Sequence, residues 1–338
     1  MRVTSEENTL MKATVFGEIS LVSLETEAAL YWRDDCLVSG GGELFPIING
    51  VPRFVPLENY ASSFGLQWNT YRRTQLDSYT GVPISRDRLK RIAGGSLEIF
   101  EGKKVLEAGC GAGRFTEVML DSGAKVFAVD ISAAVDANYL NFKTRPNYFV
   151  CQADLLRLPT IKEQFDIVVC LGVIQHTPSP EETMRALCSY VKRGGLLLID
   201  HYSFDYPATP IRCQLREYLM KKEKKQSLWL VQKMVKTMWP LHKLLFRMRG
   251  IRGVGRIRSL FLRWSPIVDY HDSYPSLGNR LLYEWAALDT YDTLTDYYKH
   301  LRNADEISAW LAKLGLIRIE VTYGGNGVEA RALKAANT

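Results

Sequence analysis

The chain has 338 residues, of which 46% are hydrophobic, 24% charged and 11% aromatic, and a formal net charge of +6. That is enough apolar material for one large domain or two ordinary ones, and it excludes disorder, collagen-like repeats and a disulfide-stapled miniprotein. The charge is uneven: Ile211 to Trp264 holds fifteen Lys or Arg against Glu217 and Glu223, which leaves 28 basic and 35 acidic residues elsewhere.

Glu6, Glu7, Lys12 and Glu18 in the first turns of sequence predict no secretory signal. The longest clean apolar stretch, Ile167 to Ile174, is too short to cross a bilayer. Cys36, Cys110, Cys151, Cys170, Cys188 and Cys213 stand singly, without a C-x-x-C pair, and read as reduced thiols of a cytoplasmic protein.

Residues 1–60 are expected to be β-rich, because Gly40-Gly41-Gly42 and Asn49-Gly50 punctuate short runs such as Leu44 to Ile48 and Pro52 to Val55. Residues 61–102 change to helical spacing of Trp68, Tyr71, Leu76, Leu89 and Ile92, and form a helical cover. From 103 to 201, apolar runs Lys104 to Glu107, Lys125 to Val129, Tyr148 to Cys151, Phe165 to Leu171 and Leu196 to His201 alternate with helix-like stretches. Runs apolar on both faces and separated by helices predict an α/β fold with a parallel sheet covered on each side. Residues 202–298 form a long basic helical insertion, with a break expected at Pro240. Residues 299–338 supply a helix over Asp305 to Gly315 and two strands, Ile317 to Thr322 and Gly327 to Leu333, that close the same sheet.

The first core strand runs into Glu107-Ala108-Gly109-Cys110-Gly111-Ala112-Gly113-Arg114, a glycine-rich turn opening a helix. A nicotinamide fingerprint would read G-x-G-x-x-G, and this reads G-x-G-x-G. A carboxylate at Glu107 would repel a pyrophosphate and attract an ammonium group, which favours S-adenosylmethionine over a dinucleotide. Asp130, followed by Ile131, closes the next strand at the distance where a carboxylate reaches a ribose diol. Gln152-Ala153-Asp154-Leu155 follows the third strand and offers Asp154 to an adenine amine. Leu171 and Gly172 end the fourth and lead to His176. The cofactor set is therefore Glu107, Gly109, Cys110, Gly111, Gly113, Asp130, Ile131, Gln152, Ala153, Asp154, Leu155, Leu171 and Gly172. Purely structural alternatives stand beside these roles: Asp130 as a helix cap, Asp154 as a turn residue, His176 as a capping or packing group.

With E-x-G-C-G-x-G, V-D, A-D-L-x-x-L-P and F-D-I-V-x-x-x-G-V-I-Q-H in this order, the chain resembles the class I S-adenosylmethionine-dependent methyltransferases over residues 100 to 202 and its terminal strands. The resemblance implies a doubly wound, Rossmann-like, seven-stranded and mostly parallel sheet, with an N-terminal hairpin and helical extension and a lid between the fifth and sixth strands. It implies a methyltransferase with S-adenosyl-L-methionine as cofactor. Phe64 to Asn69 and Thr74 to Asp77 are similar to a segment preceding the core in methyltransferases of bacterial sugar, polysaccharide and secondary-metabolite gene clusters. On that likeness Gln67 or Trp68 lines the cofactor pocket; otherwise the segment is a plain packing helix. Residues 31–57 are similar to a zinc-ribbon-like segment, but Cys36 alone cannot make a tetrahedral site, so no metal is expected.

His176 is the candidate general base, with His201 and Tyr202 as competitors for that role. The expected acceptor is a small molecule, a sugar or a phosphorylated or lipid-linked metabolite. Asp289, Tyr291 and Asp292 are candidate groups to bind it, and the lysines at 221, 222, 224 and 225 to attract its charge. The basic insertion also suits a peripheral membrane contact, and its apolar stripe a homodimer. RNA methylation is the alternative, disfavoured by the absence of an RNA-binding module and of an N-P-P-Y motif. A non-catalytic, cofactor-binding regulatory protein is a third reading.

Overall fold

A computed structural model of the chain describes residues 11–205, 209–325 and 327–336. The N-terminal strands Met11–Lys12, Leu30–Arg33, Cys36–Ser39, Leu44–Ile48 and Val51–Pro52 form an antiparallel sheet. Its last turn is the Asn49-Gly50 pair, both at positive φ (55° and 81°), as a tight hairpin requires. Ala13, Ile19, Leu21, Leu30 and Leu37 bury their side chains in the same apolar cluster as the main sheet, so this part packs on the core.

Seven strands make the main sheet: β1 (Lys104–Ala108), β2 (Lys125–Asp130), β3 (Tyr148–Gln152), β4 (Phe165–Cys170), β5 (Val191–Tyr202), β6 (Leu316–Gly324) and β7 (Gly327–Lys334). Their order is β3-β2-β1-β4-β5-β7-β6, parallel except for β7, which runs antiparallel to both neighbours. Leu106, Phe127, Val168 and Leu197 fill one face, and Val105, Val126, Ile167 and Leu198 the other. This two-sided burial is why the strands read as unbroken apolar runs. The order reverses between β1 and β4, and a doubly wound sheet opens a crevice at the C-terminal strand ends there.

Helices α1 (Ser62–Thr70) and α2 (Ile84–Ile92) precede the sheet; α3 (Arg114–Asp121), α4 (Ala134–Phe142) and α5 (Pro180–Tyr190) connect its strands. Between β5 and β6 lie α6 (Pro210–Met220), α7 (Lys224–Arg247), α8 (Val254–Trp264), α9 (Gly278–Thr295) and α10 (Ala304–Lys313), the last opened by an Asn303–Glu306 capping box. The break expected at Pro240 does not occur, since α7 continues through it. Packing on both sides of the proline holds the helix: Val231, Val235 and Trp239 lie in one buried cluster with α9. Beyond the proline, His242 is tied to Asp269 (2.7 Å) and Ser265 (2.9 Å). Among the described residues no helix is long and apolar enough to cross a membrane.

Candidate active site

The glycine turn after β1 is forced by its surroundings. Gly109 has φ +79°, and a Cβ on it would stand 2.3 Å from Val173. Gly113 has φ +99°, and its Cβ would meet Phe142 at 2.2 Å, so this glycine lets the turn press on α4. At Gly111 (φ +49°) the indole of Trp68 lies 3.2 Å from where a Cβ would be. The Gly111 amide donates to Asp130 Oδ2 (3.0 Å), and Asp130 Oδ1 accepts from the amide and hydroxyl of Ser132 (2.8 and 2.7 Å). Burial raises the Asp130 carboxyl above the usual aspartate range, with the Ser132 and Gly111 bonds opposing.

A cavity of about 950 Å³ lies over these strand ends. Of the sequence-predicted cofactor residues, Gly109, Cys110, Gly111, Asp130, Ile131, Asp154, Leu155, Leu171, Gly172 and Trp68 line it, and so do His176 and Tyr202. One oxygen of Asp154 is used within its own turn, accepting from Leu156 N–H (2.9 Å).

Six predicted residues do not line the cavity. Glu107 is buried and accepts from the Thr116 hydroxyl on α3. Burial pushes its carboxyl up to about 8 against the Thr116 bonds, which weakens it as a fixed negative charge for a cofactor. Gln152 is held between the Arg53 guanidinium (3.1 Å) and the Ile131 carbonyl (2.9 Å), and Arg53 pairs with Asp136. Ala153 is buried beside it, its amide donating to the Asp130 carbonyl (3.1 Å). Gly113 serves the helix contact described above. Gln67 is buried with neither amide atom hydrogen-bonded among the described residues, so it is Trp68 that reaches the cavity. His201 is fully buried, with Nδ1 2.9 Å from the Tyr202 carbonyl, and burial lowers its pKa; this geometry removes it from contact with a substrate.

His176 is placed differently. Its Nδ1 lies 3.0 Å from the Tyr298 carbonyl and 3.4 Å from Asp296 Oδ2, and its ring packs between Phe64 and Tyr202. Burial lowers its pKa, but the Asp296 hydrogen bond and charge, together with Asp292, outweigh burial and raise it overall. Two acceptors at Nδ1 put the proton there and leave Nε2 for a ligand.

The far wall was not foreseen. Arg72, Arg88, Arg91, Arg114 and Arg212 all line the same cavity. Arg88 pairs with Asp200, Arg91 makes a bidentate pair with Glu329 (2.8 and 2.6 Å), and Arg114 donates to Gln75 (2.9 Å) and Ser85 (3.2 Å). Burial lowers Arg114 to about 10, and Arg88 adds to this. Asp289 accepts from the Tyr270 hydroxyl (2.6 Å) and Gln75 (3.3 Å), and burial raises it to about 7. Burial also raises Asp292 to about 6, with His176 opposing. Asp289 and Asp292 line the cavity; Tyr291 does not, since it is buried in the packing of α9. None of the four lysines at 221, 222, 224 and 225 lines it, and Lys224 pairs with Glu58 at 2.6 Å. The signal available for the arginines was Arg88 and Arg91 spaced i, i+3 on a helix with Leu89 and Ile92 buried, and Arg114 directly after the last glycine of the turn.

Residues 106–199 match the methyltransferase domain family. Over 124 residues the chain is 33% identical to the ubiquinone biosynthesis O-methyltransferase of Pseudomonas fluorescens (strain SBW25), covering 36% of this chain and 53% of that protein. It is 30% identical over 123 residues to the protein of the same name from Azoarcus sp. (strain BH72), covering 35% and 52%. The chain thus spans about half the length of the curated relatives it matches. The structure of human N-acetylserotonin methyltransferase in complex with S-adenosylmethionine aligns at a TM-score of 0.45 and 13% identity, over 84% of this chain and 61% of that one.

The residues at the strand ends fit S-adenosylmethionine, the cofactor that the resemblance implies. Gly109 and Gly111 bring bare backbone to the cavity wall, Trp68 gives an aromatic face, and Asp130 Oδ2 keeps a lone pair beyond the Gly111 bond.

Proposed function

We propose that the chain transfers a methyl group from S-adenosylmethionine to a small anionic acceptor, a phosphorylated or carboxylated metabolite such as a sugar derivative. One observation carries this reading: a single cavity runs from the glycine turn and Asp130 to Arg72, Arg88, Arg114 and Arg212. When bound, the cofactor supplies an electrophilic methyl group on a sulfonium.

In this reading Asp130 accepts from the ribose diol, Asp154 addresses the adenine edge, and Trp68 covers the turn. Arg114 and Arg88 bind the acceptor's anion, and their desolvation strengthens that attraction. The insertion between β5 and β6 acts as the lid, since Arg212, Tyr270, Trp285 and Asp289 come from it and line the cavity together with the strand ends. Excluding water and fixing the approach line supply most of the acceleration for such a transfer.

The relatives are named O-methyltransferases, and a hydroxyl acceptor is the kind that gains from a base. His176 suits that role: Asp296 makes it more basic, Tyr298 fixes its tautomer, and Nε2 is left to take the hydroxyl proton. The test is transfer of an isotope-labelled methyl group to a panel of phosphorylated, carboxylated and neutral hydroxy-metabolites, read by mass spectrometry. Methylation concentrated among the anionic acceptors is the expected result; preference for neutral ones, or no transfer to any, would overturn the reading.

A further inference from the structure

The segment Lys224 to Val268 contains eleven Lys or Arg and no Asp or Glu. On its second helix, α8, Arg258 and Phe261 face inward: Arg258 stacks over Phe246 and pairs with Asp272, and Phe261 packs on His242. The outward face is left to Ile257, Leu260 and Trp264, spaced i, i+3, i+7 and exposed at 59, 59 and 55%. At the end of α7, Leu241, Leu244 and Met248 repeat that spacing and are exposed too, and Ile251 projects from the turn between the helices. Around them stand Lys243, Arg247, Arg252, Arg256 and Arg263, none with a carboxylate partner among the described residues. This much exposed aliphatic surface needs a partner.

We propose that this face docks on an anionic lipid bilayer. Aliphatic and indole side chains at the centre of a cationic rim are what a headgroup layer takes up, the apolar groups inserting and the cations meeting lipid phosphates. A second copy of the chain is a poorer occupant, because a two-fold contact would set this acid-free cationic surface against itself. Nucleic acid would be met by the cations but would leave the leucine and isoleucine side chains unused. The surface also adjoins the candidate site: a second cavity of about 790 Å³, lined by Leu260 and Trp264, shares Arg212 and Val268 with the main one. The inference does not depend on what the acceptor is.

The experiment is cosedimentation of the full chain with vesicles of phosphatidylcholine, alone or with phosphatidylglycerol. The chain should pellet with the anionic vesicles and not with phosphatidylcholine, and about 0.5 M salt should weaken binding at least tenfold. The double variant Ile257→Ser, Leu260→Ser keeps every charge and should bind at least tenfold more weakly, with an unchanged circular dichroism spectrum. A second variant, Arg256→Gln with Arg263→Gln, should lose binding to the same vesicles while keeping the apolar face. No pelleting would overturn the proposal, and so would full binding by the serine variant, which would mean bare charge attraction. Light scattering that shows a dimer abolished by the serine substitutions would assign the face to a second copy instead.

Discussion

The Nδ1 atom of His176, on the turn after β4, lies 3.4 Å from the carboxylate of Asp296, which directly follows α9 of the insertion. The pair joins the methyltransferase core to the insertion at the cavity wall, and the imidazole's basicity is set from the other side of the chain. The raised pKa means that the stabilisation from the protonated ring is complete below its ordinary value of 6.5 and is lost as the pH rises through the raised value. Asp296→Asn should lower the His176 titration, because burial is then opposed only by Asp292 and the Tyr298 carbonyl. A histidine NMR titration reads this directly. In methyl transfer, the acid limb of the pH profile should move to lower pH with it.

Asp289 has linkage of the same sign, although its favoured state is the neutral one. Its folded carboxyl, raised to about 7, still holds a proton that the unfolded one, at 3.8, has released. Stability that this group contributes at low pH is therefore lost between about 3.8 and about 7. Thermal unfolding of Asp289→Asn, compared with the parent across that window, should show the variant gaining in relative stability as the pH rises.

Arg114 sits at the start of α3, with its guanidinium on Gln75 and Ser85 and over the Trp285 ring. Arg114→Gln should raise the acceptor KM about tenfold or more, since a charge-assisted hydrogen bond contributes about 1.5–3 kcal/mol. Cofactor affinity should stay within about twofold on the same scale. Replacing the four lysines at 221, 222, 224 and 225 together should leave KM unchanged, as none of them lines the cavity. Steady-state kinetics with each substrate varied in turn separates the two outcomes.

Two glycines with nearly the same φ test the turn. Gly109 (φ +79°) has Val173 in the place of a Cβ, while Gly172 (φ +76°) has nothing within 4 Å. Gly172→Ala should cost about 1–3 kcal/mol for the backbone conformation alone. Gly109→Ala should cost more than that, and unfolding in denaturant measures the difference.

The parallel sheet was legible because its strands are buried on both faces, so Val126 to Val129 and Ile167 to Cys170 carry their positions in composition alone. The glycine turn was legible because positive φ leaves little choice of residue. The direction of individual side chains was not. Glu107 and Trp68 stand in equally suggestive motifs, yet Thr116 turns Glu107 inward while Trp68 reaches the cavity. Gln152 belongs to a link with Arg53, nearly a hundred residues earlier in the chain, that no local pattern records. The arginine wall assembles from α2, α3, α6 and the turn after α1, segments brought together only by the tertiary fold. Pro240 was misleading because propensity is local, whereas the contacts of Trp239 and His242 that hold α7 on both sides of it are long-range.

The claim that the strand ends form a cofactor site rests most heavily on Asp130, the carboxylate at the end of β2 that also holds the Gly111 amide at 3.0 Å. Calorimetric titration of S-adenosylmethionine into the parent chain and into Asp130→Ala tests it most directly. The account predicts binding to the parent and at least tenfold weaker binding to the variant, corresponding to about 1.5–3 kcal/mol for a charge-assisted bond. Equal affinity for the two, or no binding to the parent, would contradict it.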